Sequence, residues 1–339
     1  MRKSIAEKLD EYFSRLAVFY FSSLLGRKYF VTFRESKAYL ESCGLEDVES
    51  FFPPPKELDR EVSEMLQGGS GWYTLPTSLP IGIKEDDRVP VRFYPAPKET
   101  PSKGGVILLH GLMMSSDLLF KPLIHALQKD GFDVLLPAAP FHFDRTPSGI
   151  QSGEFILGAH FLRAVDTLRQ GVTDARALLH AYRSLTMQPA GIVGVSMGGL
   201  IGGWLDVLEE VDFSVLVVPA LQFEPTLLHL PLGKTWQRRI MDTDLHEHME
   251  EVTGWMKWLE PASHPLKSNP ESVLLLVAKY DRIVSLTELS PEGEIREWKG
   301  VTVEYLPLGH VGVALSLGAV SIVADWASGR AAEKGTGGL

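Results

Sequence analysis

The ten residues Gly191-Ile192-Val193-Gly194-Val195-Ser196-Met197-Gly198-Gly199-Leu200 decide the fold. They open as a short apolar run and pass into a helix-compatible run, Leu200 to Leu208, with a G-x-S-x-G pentad, Gly194 to Gly198, at the junction. Alone, the pentad is a weak signal. Between a strand and a helix it has the setting that the motif requires. A sharp turn there lifts a serine hydroxyl above the sheet edge. Gly194 and Gly198 have no Cβ, so strand and helix can close up around the turn. The helix N-terminus brings N–H groups and a positive dipole end to the reacting atom. Ser196 is therefore the candidate nucleophile, with a capping serine in an ordinary glycine-rich turn as the alternative.

Similar short apolar runs bounded by Gly and Pro lie on either side of this stretch. Val91–Tyr94, Val106–Leu109, Val134–Leu136, Val215–Val218, Val273–Ala278 and Val301–Leu306 read as further strands. Most are apolar at consecutive positions, as parallel strands buried on both faces should be. Helical patterns lie between them: Leu118–Lys129, Phe155–Arg169 and Ala175–Tyr182. Alternating strands and helices predict a mostly parallel α/β sheet covered on both sides. The connection spanning about 219–271 is long and contains Trp236, Trp255 and Trp258. It reads as a small helical cap over the C-terminal sheet edge, where open α/β sheets place their sites.

Activating a serine hydroxyl requires a base. Of the ten histidines, His310 is best placed, on the loop after the last predicted strand. The base in turn needs an acid to fix its tautomer. Asp281 follows the strand Val273–Ala278, 29 residues before His310, and completes the order Ser, Asp, His. Asp206, Glu224, Asp242 and Asp244 are weaker alternatives. An attacked carbonyl oxygen becomes an anion and needs preorganised donors. The backbone N–H groups of Met197 and Leu112 are the candidates, the latter in His110-Gly111-Leu112-Met113 after the strand Val106–Leu109. His110 reads as a structural hydrogen-bonding residue beside the pocket. Met113, Phe141, His142, Phe223 and Trp236 are candidate pocket residues. His246 and His248 have i, i+2 spacing, which does not bring them together on a helix, and no metal site is expected.

These residues, in this order, resemble the α/β-hydrolase superfamily over about Trp72 to Trp326. The resemblance implies an eight-stranded, mostly parallel sheet, an acyl-enzyme mechanism of the esterase or lipase kind and no cofactor. Phe141-His142-Phe143-Asp144-Arg145 and Ser152-Gly153-Glu154 are similar to segments of uncharacterised bacterial esterase-like hydrolases. The expected activity is hydrolysis of a carboxylic ester, or a related thioester or amide, through an acyl-Ser196 intermediate. An acyltransferase or peptidase using the same three residues, and a binding protein that has lost catalysis, are the alternatives.

Composition agrees with a soluble enzyme: 339 residues, 45% hydrophobic and 22% charged. The net charge of -10 argues against nucleic acid or an anionic membrane as the main partner but does not identify a substrate; a small acyl substrate is what the resemblance implies. The single cysteine, Cys43, excludes an intrachain disulfide and fits a cytoplasmic protein. Residues 1–71 form an N-terminal helical extension, 72–326 the hydrolase domain and 327–339 a flexible tail. In the extension, Leu9, Phe13, Leu16, Phe19 and Tyr20 recur at helical spacing and are expected to pack on the body of the protein. A dimer contact, an entrance flap or a membrane-surface helix are the other uses of such a face. Oligomeric state is left open.

Overall fold

The computed structural model describes residues 3–24, 30–222, 224–284, 286, 295 and 297–336. The apolar runs become seven strands of one sheet, β2 (Arg88–Tyr94), β3 (Gly104–Leu109), β4 (Phe132–Pro137), β5 (Ala190–Val195), β6 (Ser214–Val217), β7 (Val273–Ala278) and β8 (Thr302–Leu306), and an unexpected eighth, β1 (Gly71–Pro76), joins them. Their order is β1-β2-β4-β3-β5-β6-β7-β8. β3 to β8 run parallel, β2 is antiparallel to β4, and β1 is antiparallel to β2. Every residue of β3, β5, β6 and β7 is buried, which is why these strands read as unbroken apolar runs. Strand β1 was missed because burial alternates along it at the sheet edge, leaving no consecutive apolar signature.

The helices are α1 (Lys3–Leu24), α2 (Phe33–Ser42), α3 (Val48–Phe51), α4 (Asp59–Gly68), α5 (Lys121–Lys129), α6 (Glu154–Leu157), α7 (Phe161–Thr186), α8 (Met197–Leu208), α9 (Glu224–His229), α10 (Lys234–Asp242), α11 (Met249–Trp258), α12 (His310–Ala314) and α13 (Leu317–Thr336). Alternate residues of β3 feed opposite faces. Ile107 and Leu109 join the core under α4, α7 and α8, whereas Val106 and Leu108 join the one under α5 and α13. The two helices expected at 155–169 and 175–182 are largely one 26-residue helix, α7. Its polar middle looked like a break but is buried and bonded: Gln170 Nε2 donates to Leu79 O (3.1 Å), and Asp174 accepts from Thr77 and Ser78.

Residues 33–68 are built into this body. Leu40, Phe51, Phe52, Val62 and Met65 belong to the same buried cluster as α7 and α8, and Arg169 and Arg176 on α7 donate to Phe51 O and Phe52 O. Helices α9, α10 and α11 fill the long β6–β7 connection. Residues 327–336, expected as a flexible tail, continue α13, with Ala327 and Ala331 buried in the second core. Among the described residues no helix is long and apolar enough to cross a membrane.

Helix α1 corrects a second expectation. Three of the side chains expected inside do not face inward: Leu9, Leu16 and Phe19 are 42%, 52% and 70% exposed, and the side chain of Tyr20 lies outside the described residues. The buried stripe is Ala6, Asp10, Ser14 and Ala17, one residue further along the chain and so rotated by about 100°. Small side chains allow the helix axis to approach closely, and the carboxylate of Asp10 is drawn in by backbone donors. Phe13, on the boundary, is the large apolar residue of the helix that reaches the cavity described below.

Candidate active site

The turn at Ser196 is built as the sequence requires. Ser196 adopts φ 56°, ψ -112°, a costly conformation for a residue with a side chain. Its N–H donates to Val217 O (2.9 Å), and its carbonyl accepts from Gly199, Leu200 and Ala220, so neighbouring structure holds the turn. A Cβ on Gly194 would lie 2.4 Å from Gly198 O, and one on Gly198 would lie 2.1 Å from Leu109 O. Only glycine fits at either position.

Two loops at the same sheet edge complete the cluster. After β7 the chain turns at Asp281, whose Oδ1 accepts from Ile283 N and Val284 N, both at 2.8 Å. Its Oδ2 lies 2.8 Å from His310 Nδ1, and His310 Nε2 lies 3.0 Å from Ser196 Oγ. His310 opens α12 just beyond β8. Asp281 and His310 are each only 6% exposed. Burial pulls the pKa of His310 down, but the charge and hydrogen bond of Asp281, with a smaller contribution from Asp10, outweigh it. The net shift is upward from 6.5. Glu224, the best of the alternative acids, instead has its backbone N–H bonded to Glu260, and Asp206 is buried against Ser214 and Ser268.

Met197 starts α8, so its N–H has no partner within the helix and remains beside Ser196. Leu112 lies on the facing loop, at the wall of the cavity into which Ser196 opens. That loop is braced from below. His142 Nδ1 bonds to Pro140 O (2.8 Å), which leaves Nε2 to accept from Met113 N (3.3 Å), while Ser152 Oγ donates to Met114 O (2.7 Å). Burial holds the pKa of His142 down at about 4, so the neutral ring this bond needs persists at ordinary pH. Gly153 packs under the same loop, where a Cβ would come within 3.2 Å of Met113 N. The β4 loop carrying His142 is fixed by buried Arg145, which donates to Asp86 Oδ1 (2.9 Å), Asp86 O (2.8 Å), Ala138 O (3.0 Å) and Asp174 Oδ2 (3.0 Å). Burial raises the pKa of Asp86 to about 6 against the pull of Arg145.

The cavity in front of Ser196 has a volume of about 530 Å³. Apolar side chains line nearly all of it: Leu112, Met113, Ile156 and Leu157 from the loop and α6, Leu168 from α7, Leu227, Trp236 and Met256 from the cap, and Phe13 from α1. Of the expected pocket residues, Met113 and Trp236 are there. Trp236 is anchored by its indole N–H on Ile156 O (2.7 Å). His110 is the structural hydrogen-bonding residue expected, while His142 and Phe141 are corrected. His110 is buried beneath the turn, where its Nε2 accepts from Ala139 N (2.9 Å). His142 braces the loop from behind, and Phe141 packs edge-on against Phe155. All three are buried: His110 by its bond to Ala139 N, and Phe141 and His142 on the β4 loop that Arg145 holds. Phe223 lies outside the described residues. Among the described residues no cluster of three or more His, Cys, Asp or Glu side chains could hold a metal ion.

Sequence reasoning missed Asp10. It is fully buried, and its carboxylate accepts from His310 N (2.7 Å), Arg282 N (3.2 Å) and Val311 N (3.2 Å). An aspartate in an amphipathic helix reads as a solvated residue, and partners some 300 positions away leave no local signal.

No family model and no curated protein sequence matches the chain. Solved structures do. The acetyl xylan esterase 1 of Thermoanaerobacterium sp. is 16% identical over 82% of this chain and 95% of its own, with a TM-score of 0.53. The acylaminoacyl peptidase of Pyrococcus horikoshii is 13% identical over 81% of this chain, with a TM-score of 0.52. A puromycin-hydrolyzing peptidase of Mycobacterium tuberculosis is 13% identical over 77%, with a TM-score of 0.53. This chain spans only 42% and 39% of the lengths of the two peptidases. The strand order, the turn at Ser196 and these neighbours together establish that the chain has the α/β-hydrolase fold.

Proposed function

We propose that the protein is a serine hydrolase that cleaves carboxylic esters with an apolar acyl group, and that Ser196, His310 and Asp281 are its catalytic triad. One observation carries the reading: the unbroken chain Ser196 Oγ, His310 Nε2, His310 Nδ1, Asp281 Oδ2, at 3.0 and 2.8 Å, opening on an apolar cavity. In this mechanism His310 Nε2 takes the hydroxyl proton as Ser196 Oγ bonds to the ester carbonyl carbon. The oxygen becomes an anion held by the N–H groups of Met197 and Leu112. His310 returns the proton to the alkoxide as the C–O bond breaks, and the alcohol leaves. Water then attacks the acyl-Ser196 carbonyl, giving its proton to His310, which passes it to Ser196 Oγ as the acid departs. Asp281 keeps its charge throughout and holds the proton on Nδ1.

Ester cleavage fits the cavity better than peptide cleavage, because among its described lining residues Thr226 is the one hydroxyl or charged side chain besides Ser196 and His310, too few to pair with the amide groups of an extended chain. The test is a fluorophosphonate probe followed by intact mass, with a series of p-nitrophenyl esters of increasing acyl length. One adduct on the wild type, none on Ser196→Ala, and faster turnover of longer acyl chains are expected. A well-folded wild type that takes no adduct would refute the reading.

A further inference from the structure

We propose that helix α1 is part of the active site and that Asp10 is its positioning residue, clamping the Asp281 loop and the His310 loop together so that His310 stays on Ser196. The inference rests on the triad reading above. The two loops come from different strands, and among the described residues their backbones meet through Lys279 N on Leu306 O (2.9 Å) and Tyr280 N on Leu308 O (3.0 Å), both before Asp281 and His310 are reached. Asp10 bridges them directly: one oxygen accepts from Arg282 N and His310 N, the other from Val311 N. The donors therefore include the residue after Asp281 and His310 itself. The seat is shaped for a carboxylate. A Cβ at Gly309 would lie 2.8 Å from both Asp10 oxygens, so any larger residue there would evict it.

The same helix grips the Asp281 loop a second time. Glu7, one turn earlier, meets the guanidinium of Arg282 at 2.9 Å. One turn later Phe13 forms part of the cavity wall. Clamp and wall thus share one rigid element, and moving the helix would move both. A carboxylate suits three converging N–H donors because it offers about four acceptor sites and donates nothing. An amide would offer one oxygen and turn an NH2 toward a backbone N–H. Burial raises the pKa of Asp10, with the His310 N–H as the largest opposing influence. The titratable and charged groups facing this junction are Asp10, Asp281 and His310, together with the Glu7–Arg282 pair.

A merely structural anchor and a positioning residue differ in what they change. The experiment uses the full chain with Asp10→Asn, and Lys8→Ala on the exposed side of α1 as control. It measures kcat and KM for a short p-nitrophenyl ester across pH, beside fluorophosphonate labelling. Loosening the imidazole should lower kcat by about tenfold or more while KM stays within about threefold, since misplacement of a reacting group is felt mainly in the transition state. Removing a negative charge near His310 should also move the acid limb to lower pH. Lys8→Ala should match the wild type. Wild-type kcat with an unmoved acid limb in folded Asp10→Asn would overturn the proposal and leave the triad reading intact. A wild type that takes no adduct would sink the triad reading first. Should Asp10→Asn fail to fold, Asp10→Ser, whose short side chain leaves room for water on the backbone donors, is measured in the same way. Failure of both to fold would mean that Asp10 is a structural anchor only.

Discussion

Asp281→Asn should fold and yet be nearly inert, for a reason that can be read from the turn around it. In the wild type Oδ1 accepts from Ile283 N and Val284 N, and Oδ2 faces His310 Nδ1. An asparagine keeps the first two bonds by placing its carbonyl oxygen where Oδ1 was. Its NH2 then faces Nδ1 as a donor, and Nδ1 must accept. The ring proton moves to Nε2, the nitrogen that should take the proton of Ser196. The variant therefore holds the imidazole in the wrong tautomer and also lacks the charge that stabilises its cation. Two unit charges about 4 Å apart at an effective dielectric constant near 20 attract by about 4 kcal/mol. At about 1.4 kcal/mol per decade, losing that in the transition state costs roughly a thousandfold in rate, before the tautomer is counted. The assay is the second-order rate of fluorophosphonate labelling at saturating pH, with thermal unfolding to show that the fold is kept. A rate within about tenfold of the wild type would refute the argument, since neither the tautomer nor the charge would then matter.

The acid limb of kcat/KM should be centred above pH 6.5, because His310 must be neutral to act and its pKa is raised; a midpoint below 6.5 would contradict the pairing with Asp281. The same pairing stabilises the folded state fully below pH 6.5 and less as pH rises through the folded pKa, so urea midpoints should carry that slope, and Asp281→Asn should lack it. Arg145→Ala leaves Asp86 and Asp174 buried without their shared cation and should cost about 3–5 kcal/mol in urea unfolding; a loss under about 1 kcal/mol would mean that water replaces the guanidinium at little cost. Gly198→Ala should abolish labelling, since its Cβ would meet backbone at 2.1 Å, whereas Gly254→Ala, with nothing within 4 Å in α11, should stabilise by about 0.5–1 kcal/mol. Equal behaviour of the two variants would refute the close packing at the turn.

The sheet was legible because burial on both faces leaves an unbroken apolar run, as in β3, β5 and β7. The cluster of Ser196, Asp281 and His310 was legible because its members follow strand ends and so fall in a fixed order along the chain. What escaped was everything whose meaning depends on distant contacts. The large apolar residues of α1 are spaced correctly for burial and yet face out, because the helix docks through Ala6, Asp10, Ser14 and Ala17. A hydrophobic stripe tells which face is apolar, not whether a polar group on the adjacent stripe has a better partner. His110, Phe141 and His142 were placed near the site by their position after strands. What each ring meets was set by partners on other segments, such as Ala139 N for His110 and Met113 N for His142, which no spacing records.

The bond from Asp10 to His310 spans 300 positions, and that to Val311 spans 301. Helix α1 leaves the ribosome well before the loops it clamps. At about 5–20 residues per second, the helix waits some 15–60 s for its partners. Only for the last 114 positions of that interval does Ser196 already exist, with no base yet held against it. Under the proposed triad, Ser196 stays unactivated until residues 281–311 have been made and have docked against α1.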